Sequence, residues 1–226
     1  MSAPWLTIHR IRTPNIATQI ARTVQLIGRG ILDGARHFEI RAYAAGLASE
    51  AEPKDYLGQV QKIYDDFLKR WRYVRENGEW VCVSGNAIHN LILGAAAKPG
   101  QRGWGDCDDA TVALGALITA IGLPVQIVTV SGPGSRSLFT HVFPRVQIPR
   151  LGWVAVDAVG HPEHELGWIP PHDRLAVWDL AGQRLFRQGD FSQFKDVAFG
   201  NAGEIEKKKG LTCSSSNKHK FFRITA

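Results

Sequence analysis

Gly105-Asp106-Cys107-Asp108-Asp109 runs directly into Ala110-Thr111-Val112-Ala113-Leu114-Gly115-Ala116-Leu117-Ile118-Thr119-Ala120-Ile121. The second stretch is apolar nearly all round, which predicts a helix buried on every side rather than an amphipathic surface helix. Asp106 is a good N-cap, Gly122 supplies a C′ residue and Pro124 stops any continuation. Cys107 therefore stands in the first turn of a buried helix. The unpaired N–H groups and positive dipole end at such a site are expected to favour thiolate over thiol.

A nucleophilic cysteine needs a partner that takes and returns a proton near neutral pH, and His141 in Phe139-Thr140-His141-Val142-Phe143 is suited to that role. The imidazole in turn needs a carboxylate to fix its tautomer, which Asp157 in Gly152-Trp153-Val154-Ala155-Val156-Asp157 can supply. Cys107 and His141 are 34 residues apart (141 − 107), room for the helix, a strand at 125–130 and a loop. His141 and Asp157 are 16 apart (157 − 141), which suits two antiparallel strands joined near Pro149–Gly152. Strand alternation predicts that His141 points where Phe139 and Phe143 point.

Each residue has a plainer reading when taken alone. A cysteine ahead of an apolar helix is often a small buried hydrophobe, and a histidine between apolar neighbours is often a satisfied core residue. An unpaired carboxylate at Asp157 would be costly inside a strand, so a partner is required there. Asp106 and Asp108 cap the helix and complement its dipole, or they line the cleft. Cys, His and Asp are also possible metal ligands. The paired Cys-x-x-Cys or His-x-x-x-His spacings of a zinc site are absent, so neither metal nor cofactor is expected. A backbone N–H at Cys107 is the expected oxyanion donor. Trp104 either walls the cleft or packs on the core.

The three motifs together resemble the transglutaminase-like superfamily of papain-like cysteine enzymes, more closely its bacterial and phage-borne cysteine proteinase-like members. The similarity covers about 64–171. The resemblance implies a papain-like α+β core with Cys107, His141 and Asp157 as catalytic residues. It also implies that the acidic cluster belongs to the signature. Gln101 lies six positions before Cys107, the offset at which papain-like enzymes carry an oxyanion glutamine, although a solvated loop glutamine fits equally. Glu165-Leu166-Gly167-Trp168-Ile169-Pro170-Pro171 resembles the family's stretch after the aspartate, which places Trp168 at one rim. Where many members carry a Pro- and Glu-containing segment, this chain has Glu76-Asn77-Gly78-Glu79-Trp80, so substrate specificity does not carry over.

Periodicity organises the rest of the chain. A helix is predicted from the Thr13-Pro14 pair with Ile16, Ile20, Val24, Ile27 and Ile31 on one face, and a second over 34–48. A third, over 53–75, places Leu57, Val60, Tyr64, Phe67, Trp71 and Val74 at three- and four-residue steps. Strands follow at 124–131, 138–148, 152–159 and 174–180. The expected architecture is α+β: N-terminal helices and the nucleophile helix packed on an antiparallel sheet. Expected regions are a helical layer at 1–52, a catalytic core at 53–203 and a basic, disordered tail at 204–226.

The chain has 226 residues, enough for a full core, and 44% of them are hydrophobic, as is usual for a globular protein. Its net charge of +6 is uneven. Positions 204–226 hold six Lys/Arg and two Glu, so +4 belongs there and +2 to the remainder, which is no nucleic-acid footprint. No apolar run reaches membrane-span length and no signal peptide is read, which suggests a cytoplasmic or virion setting. Three cysteines cannot all pair, so a reduced protein is expected; Cys82 reads as buried and Cys213 as part of the tail. The function expected is acyl transfer on a peptide or protein amide through a Cys107 thioester, with hydrolysis favoured. The alternatives are a protein-glutamine transglutaminase and a non-catalytic phage or prophage structural or assembly protein that keeps the fold and binds a phage partner.

Overall fold

The computed structural model describes residues 7–10, 15–73, 81–84, 103–134, 139–159 and 165–186; for 7–10, 16, 81–84 and 103–104 it describes the backbone. The Asp106–Ile121 reading holds. Helix α4 spans Cys107–Ala120, Asp106 caps it by accepting the Asp108 N–H at 3.2 Å, and Gly122 beyond its end takes a positive φ of 86°. Every residue from Asp109 to Ile118 is buried, as an all-round apolar helix requires.

Three helices precede it: α1 at Ile16–Arg36, α2 at Phe38–Ala48 and α3 at Tyr56–Arg70. The first break falls later than expected, at His37, because α1 runs through Gly34 and takes in part of the predicted second helix. Asn15 caps α1 through its side chain; Thr13 and Pro14 lie outside the described residues. On the buried faces stand Val24, Ile27 and Ile31 of α1, with Val60, Tyr64 and Phe67 of α3. Helix α3 stops five residues short of the expected end. Trp71 there turns extended and begins strand β2, Trp71–Tyr73, with its ring stacked on Phe67 at 4.9 Å between centroids. Gly28 on α1 sits so close to the chain after the last strand that a Cβ would stand 2.7 Å from the Leu180 carbonyl carbon.

Three short strands were not legible from periodicity. β1, Thr7–Arg10, pairs antiparallel with β3, Val81–Ser84, which contains Cys82. β4, Gly103–Gly105, runs parallel to β2 and delivers the chain to Cys107. The main sheet is antiparallel, with β5 (Val125–Ser131), β6 (His141–Ile148), β7 (Gly152–Ala155) and β8 (Arg174–Trp178) in spatial order β7-β6-β5-β8. Alternation along these strands builds two cores. Ile127, Val142, Val146, Val154 and Trp178 join the helices in the principal core, and Val128, Val130, Phe143, Ala155 and Val177 form a second core on the other face. The architecture is α+β, with the helical layer and α4 packed on one face of an antiparallel sheet.

Candidate active site

The chain brings together the start of α4, the start of β6 and the segment just beyond β7. Their contact is pinned by Thr111, one turn into α4. Its hydroxyl lies 2.6 Å from the Cys107 carbonyl oxygen and 3.1 Å from that of Val142, so its hydrogen reaches either acceptor. Val142 answers from the strand side by donating its backbone N–H to the Cys107 sulfur. The residue after His141 is thus engaged with the nucleophile helix through both its backbone groups.

His141 is the first residue of β6 and Asp157 lies two residues beyond the last residue of β7. The β6–β7 register pairs Arg145 with Ala155, and continuing it would set Asp157 opposite Phe143. The carboxylate reaches diagonally along the strand instead, and Asp157 Oδ2 lies 2.7 Å from His141 Nε2. Asp157 is 3% exposed, yet each carboxylate oxygen has a partner, because Oδ1 accepts the Val159 N–H at 3.0 Å. A buried carboxylate with both oxygens bonded avoids most of the cost of burying it alone. The expected strand over 152–159 is shorter than read, since the chain leaves the ladder in order to make these contacts. His141 faces the same way as Phe143, with rings 5.7 Å apart, whereas Phe139 precedes the strand and packs on the principal core.

The environment of Cys107 differs from the expectation that its helix terminus favours a thiolate. Although the residue is only half-buried, burial is the largest influence on its thiol and pushes its pKa well above the ordinary range; Asp106 and then Asp108 add to this. The Val142 N–H opposes them and is outweighed. Dipole stabilisation at a helix end amounts to about 0.3–1 kcal/mol in exposed settings. Desolvation of a thiolate beside two carboxyl groups exceeds that, and the resting sulfur is held as a thiol.

The acidic cluster is more structured than a solvated cap. Burial raises the Asp108 carboxyl well above its ordinary value, helped by a hydrogen bond to Asp106 and the nearby charges of Asp106 and Asp109. Asp108 therefore holds the proton it shares with Asp106. Ligand atoms of Asp106, Cys107 and Asp108 lie within 4.8 Å of one another, a spacing a cation can use. A shared proton already fills that role. Asp109, overlooked in the sequence, is 5% exposed and packs on Gly105, where an added Cβ would stand 2.5 Å from the Asp109 Cβ. The signal for it was the glycine four residues upstream, which leaves the space this carboxylate occupies.

Trp168 is half-buried in a turn tied to the sheet by the neighbouring Gly167 N–H, which donates to the Ala155 carbonyl at 2.8 Å. Trp104 lies on β4 opposite Arg72, described there by its backbone. Gln101 lies outside the described residues, as do Cys213 and 204–226.

With this geometry in view, the model of the Transglutaminase-like superfamily matches residues 41–158, which is 118 of 226 positions (158 − 41 + 1). The chain belongs to the transglutaminase-like superfamily. The superfamily segment contains Cys107, His141 and Asp157 together with helices α3 and α4. Among solved structures, the chain is similar to a candidate protease from Parabacteroides distasonis ATCC 8503, with 10% identity over 74% of this chain and 31% of that one, at a TM-score of 0.47. It is also similar to a candidate cysteine protease from Cytophaga hutchinsonii, with 17% identity over 57% of this chain and 41% of that one, at 0.38. A third is Rad4–Rad23 bound to a 6-4 photoproduct UV lesion, with 9% identity over 70% and 42% of the two chains, at 0.34. The matched portions span about a third to two fifths of those chains. No curated protein matches the chain. Among the described residues, no helix is long and apolar enough to cross a membrane.

Proposed function

We propose that this transglutaminase-like chain is a thiol-dependent acyl-transfer enzyme acting on peptide or protein amides, with Cys107 as nucleophile, His141 as proton carrier and Asp157 as the group that orients it. The observation that carries the reading is the 2.7 Å bond between His141 Nε2 and a buried, otherwise satisfied Asp157 carboxylate. That bond commits Nε2 and leaves Nδ1 for proton exchange with the sulfur.

Because the resting sulfur is a thiol, the proton moves as attack occurs rather than beforehand. His141 takes the Cys107 proton while sulfur bonds to the amide carbonyl carbon, and the carbonyl electron pair moves onto oxygen. Collapse of that intermediate breaks the C–N bond, and His141 returns the proton to the leaving amine, which leaves a thioester on Cys107. Water then adds to the thioester with His141 again as base, the C–S bond breaks, and the acid is released with the thiol restored. The Cys107 backbone N–H, at the start of α4, is the donor we assign to the oxyanion. Hydrolysis is the outcome favoured here; an amine replacing water in the second half would make the same site a transferase.

Iodoacetamide labelling tests this directly. Cys107 should be alkylated in the wild type and at least tenfold more slowly in His141→Ala, since the base that removes the proton is gone. Equal labelling of both proteins would instead favour a chain that keeps the fold without the chemistry. A primary amine added to a peptide-amide assay then separates hydrolysis from transfer by the product formed.

A further inference from the structure

We propose that Tyr64 is a positioning residue for the His141–Asp157 pair, acting through the backbone of Asp157 and touching no substrate. This rests on the function proposed above. Asp157 lies past the end of β7, so no strand ladder fixes its peptide; the Val156 N–H, donating to the Pro144 carbonyl at 2.9 Å, ties its neighbour to β6. The carboxylate is spent on His141 and on the Val159 N–H. What ties the Asp157 carbonyl is the Tyr64 hydroxyl, which donates to it at 2.7 Å in a buried setting across 93 positions of sequence.

The hydroxyl is not needed to fill space. Tyr64 is 2% exposed in the principal core, where phenylalanine would occupy the same volume without requiring a partner. A buried O–H is costly unless bonded, and this one is bonded to the residue whose carboxylate orients the histidine. Burial, and after it the charge of Asp157, raise the Tyr64 phenol well above its ordinary range, so it remains a donor wherever the protein is folded. Helix α3 is itself braced against α2, where Tyr43 donates to Asp66 and Arg70 pairs with the same carboxylate at 3.0 Å. The chain from braced helix to Tyr64 hydroxyl to Asp157 peptide to carboxylate to imidazole is continuous, and each link is a bond given above.

The test uses the full chain with 15N-labelled histidine, in wild type, Tyr64→Phe, Asp157→Asn and Tyr43→Phe. The ring nitrogen shifts of His141, assigned by their loss in His141→Ala, report how the imidazole is held. We expect Tyr64→Phe to move them in the direction of Asp157→Asn but less far, and to slow Cys107 alkylation about tenfold, as a sub-ångström loosening of a reacting pair does. Tyr43→Phe loses a hydroxyl bond within the helical layer and should lower the melting temperature while leaving both readouts unchanged. If Tyr64→Phe is unfolded in buffer, the measurement is repeated in sucrose, which favours the compact state. Ring shifts identical to wild type, with only a lowered melting temperature, would make Tyr64 a packing residue and overturn the proposal. The nitrogen shifts do not depend on turnover. If labelling proves independent of His141, the acyl-transfer reading falls while the shifts still decide what Tyr64 holds.

Discussion

The two halves of the candidate site are prepared in opposite ways. Around His141 and Asp157 every polar atom described has a fitting partner: the carboxylate is bonded at both oxygens and its peptide is tied to α3. Around Cys107 the surroundings oppose the reactive form, since burial and the Asp106 and Asp108 carboxyls push the thiol up against one opposing N–H. The proton acceptor is thus built in advance, and the nucleophile is held unreactive until something changes at the start of α4. A substrate that displaces water and offers a carbonyl to the sulfur would make that change. The contrast teaches that a helix N-terminus does not by itself make a thiolate, because the same first turn can bring carboxyl groups with it.

The largest expected effect tests the prepared half. Asp157→Asn keeps the size and one acceptor oxygen of the side chain, but it can stabilise the wrong tautomer of His141. Where an orienting aspartate is changed to asparagine in a serine triad, turnover falls by up to about 10⁴. We expect a loss of roughly 10²–10⁴ in peptide-amide turnover here, with the melting temperature lowered because a buried bonding pattern has been altered. Turnover within a few-fold of wild type would mean that His141 is held by its strand alone.

A smaller effect, of opposite sign, tests the restrained half. Asp106→Asn preserves the N-cap, since asparagine caps as well as aspartate, and removes a carboxyl that raises the Cys107 thiol. The thiol should titrate at lower pH, and alkylation at neutral pH should quicken by roughly a few-fold, less than the tenfold that one pKa unit represents. The check is a pH–rate profile of iodoacetamide labelling, in which the whole curve moves toward acid. An unmoved profile would show that burial alone restrains the sulfur.

How far the sequence revealed this arrangement can be judged residue by residue. Helix α4 was readable because its cap, apolar run, Gly122 and Pro124 all speak locally, and the sheet because its strands alternate. The His141–Asp157 contact was anticipated from chain order, although the reach is diagonal from beyond the strand end and not direct across a ladder. Short strands β1 to β4 were missed because three or four residues carry too little periodicity, and their pairing is with partners far away in sequence. Thr111 and Tyr64 read only as a helix residue and a core aromatic, since their hydroxyl bonds depend on tertiary contacts 31 and 93 positions away. The state of the thiol was misjudged for a similar reason. The dipole is a local property of a helix, whereas burial depends on everything packed against it.

The smallest effect concerns the proton that Asp108 shares with Asp106. In the unfolded chain Asp108 titrates near the model value of 3.8; in the folded protein burial raises it well above that. Between those two values the folded state binds a proton that the unfolded state releases, so stability falls as pH rises through the window. Asp108→Asn removes the titration while retaining a hydrogen-bond donor for Asp106. It also sacrifices little dipole stabilisation, because a protonated acid has no charge to place at the helix start. The variant should therefore melt higher than wild type at pH 7.5, by roughly 2–4 °C if the relief is about 1 kcal/mol in a domain of this size. The difference should shrink as the pH is lowered toward 3.5, where Asp108 is protonated in both states of the wild type. Calorimetry at the two pH values decides the matter. A variant that melts lower at pH 7.5, with the gap closing in acid, would mean that Asp108 is ionised in the folded protein and serves the helix dipole, and the restraint on Cys107 would then come from two full charges at the start of α4.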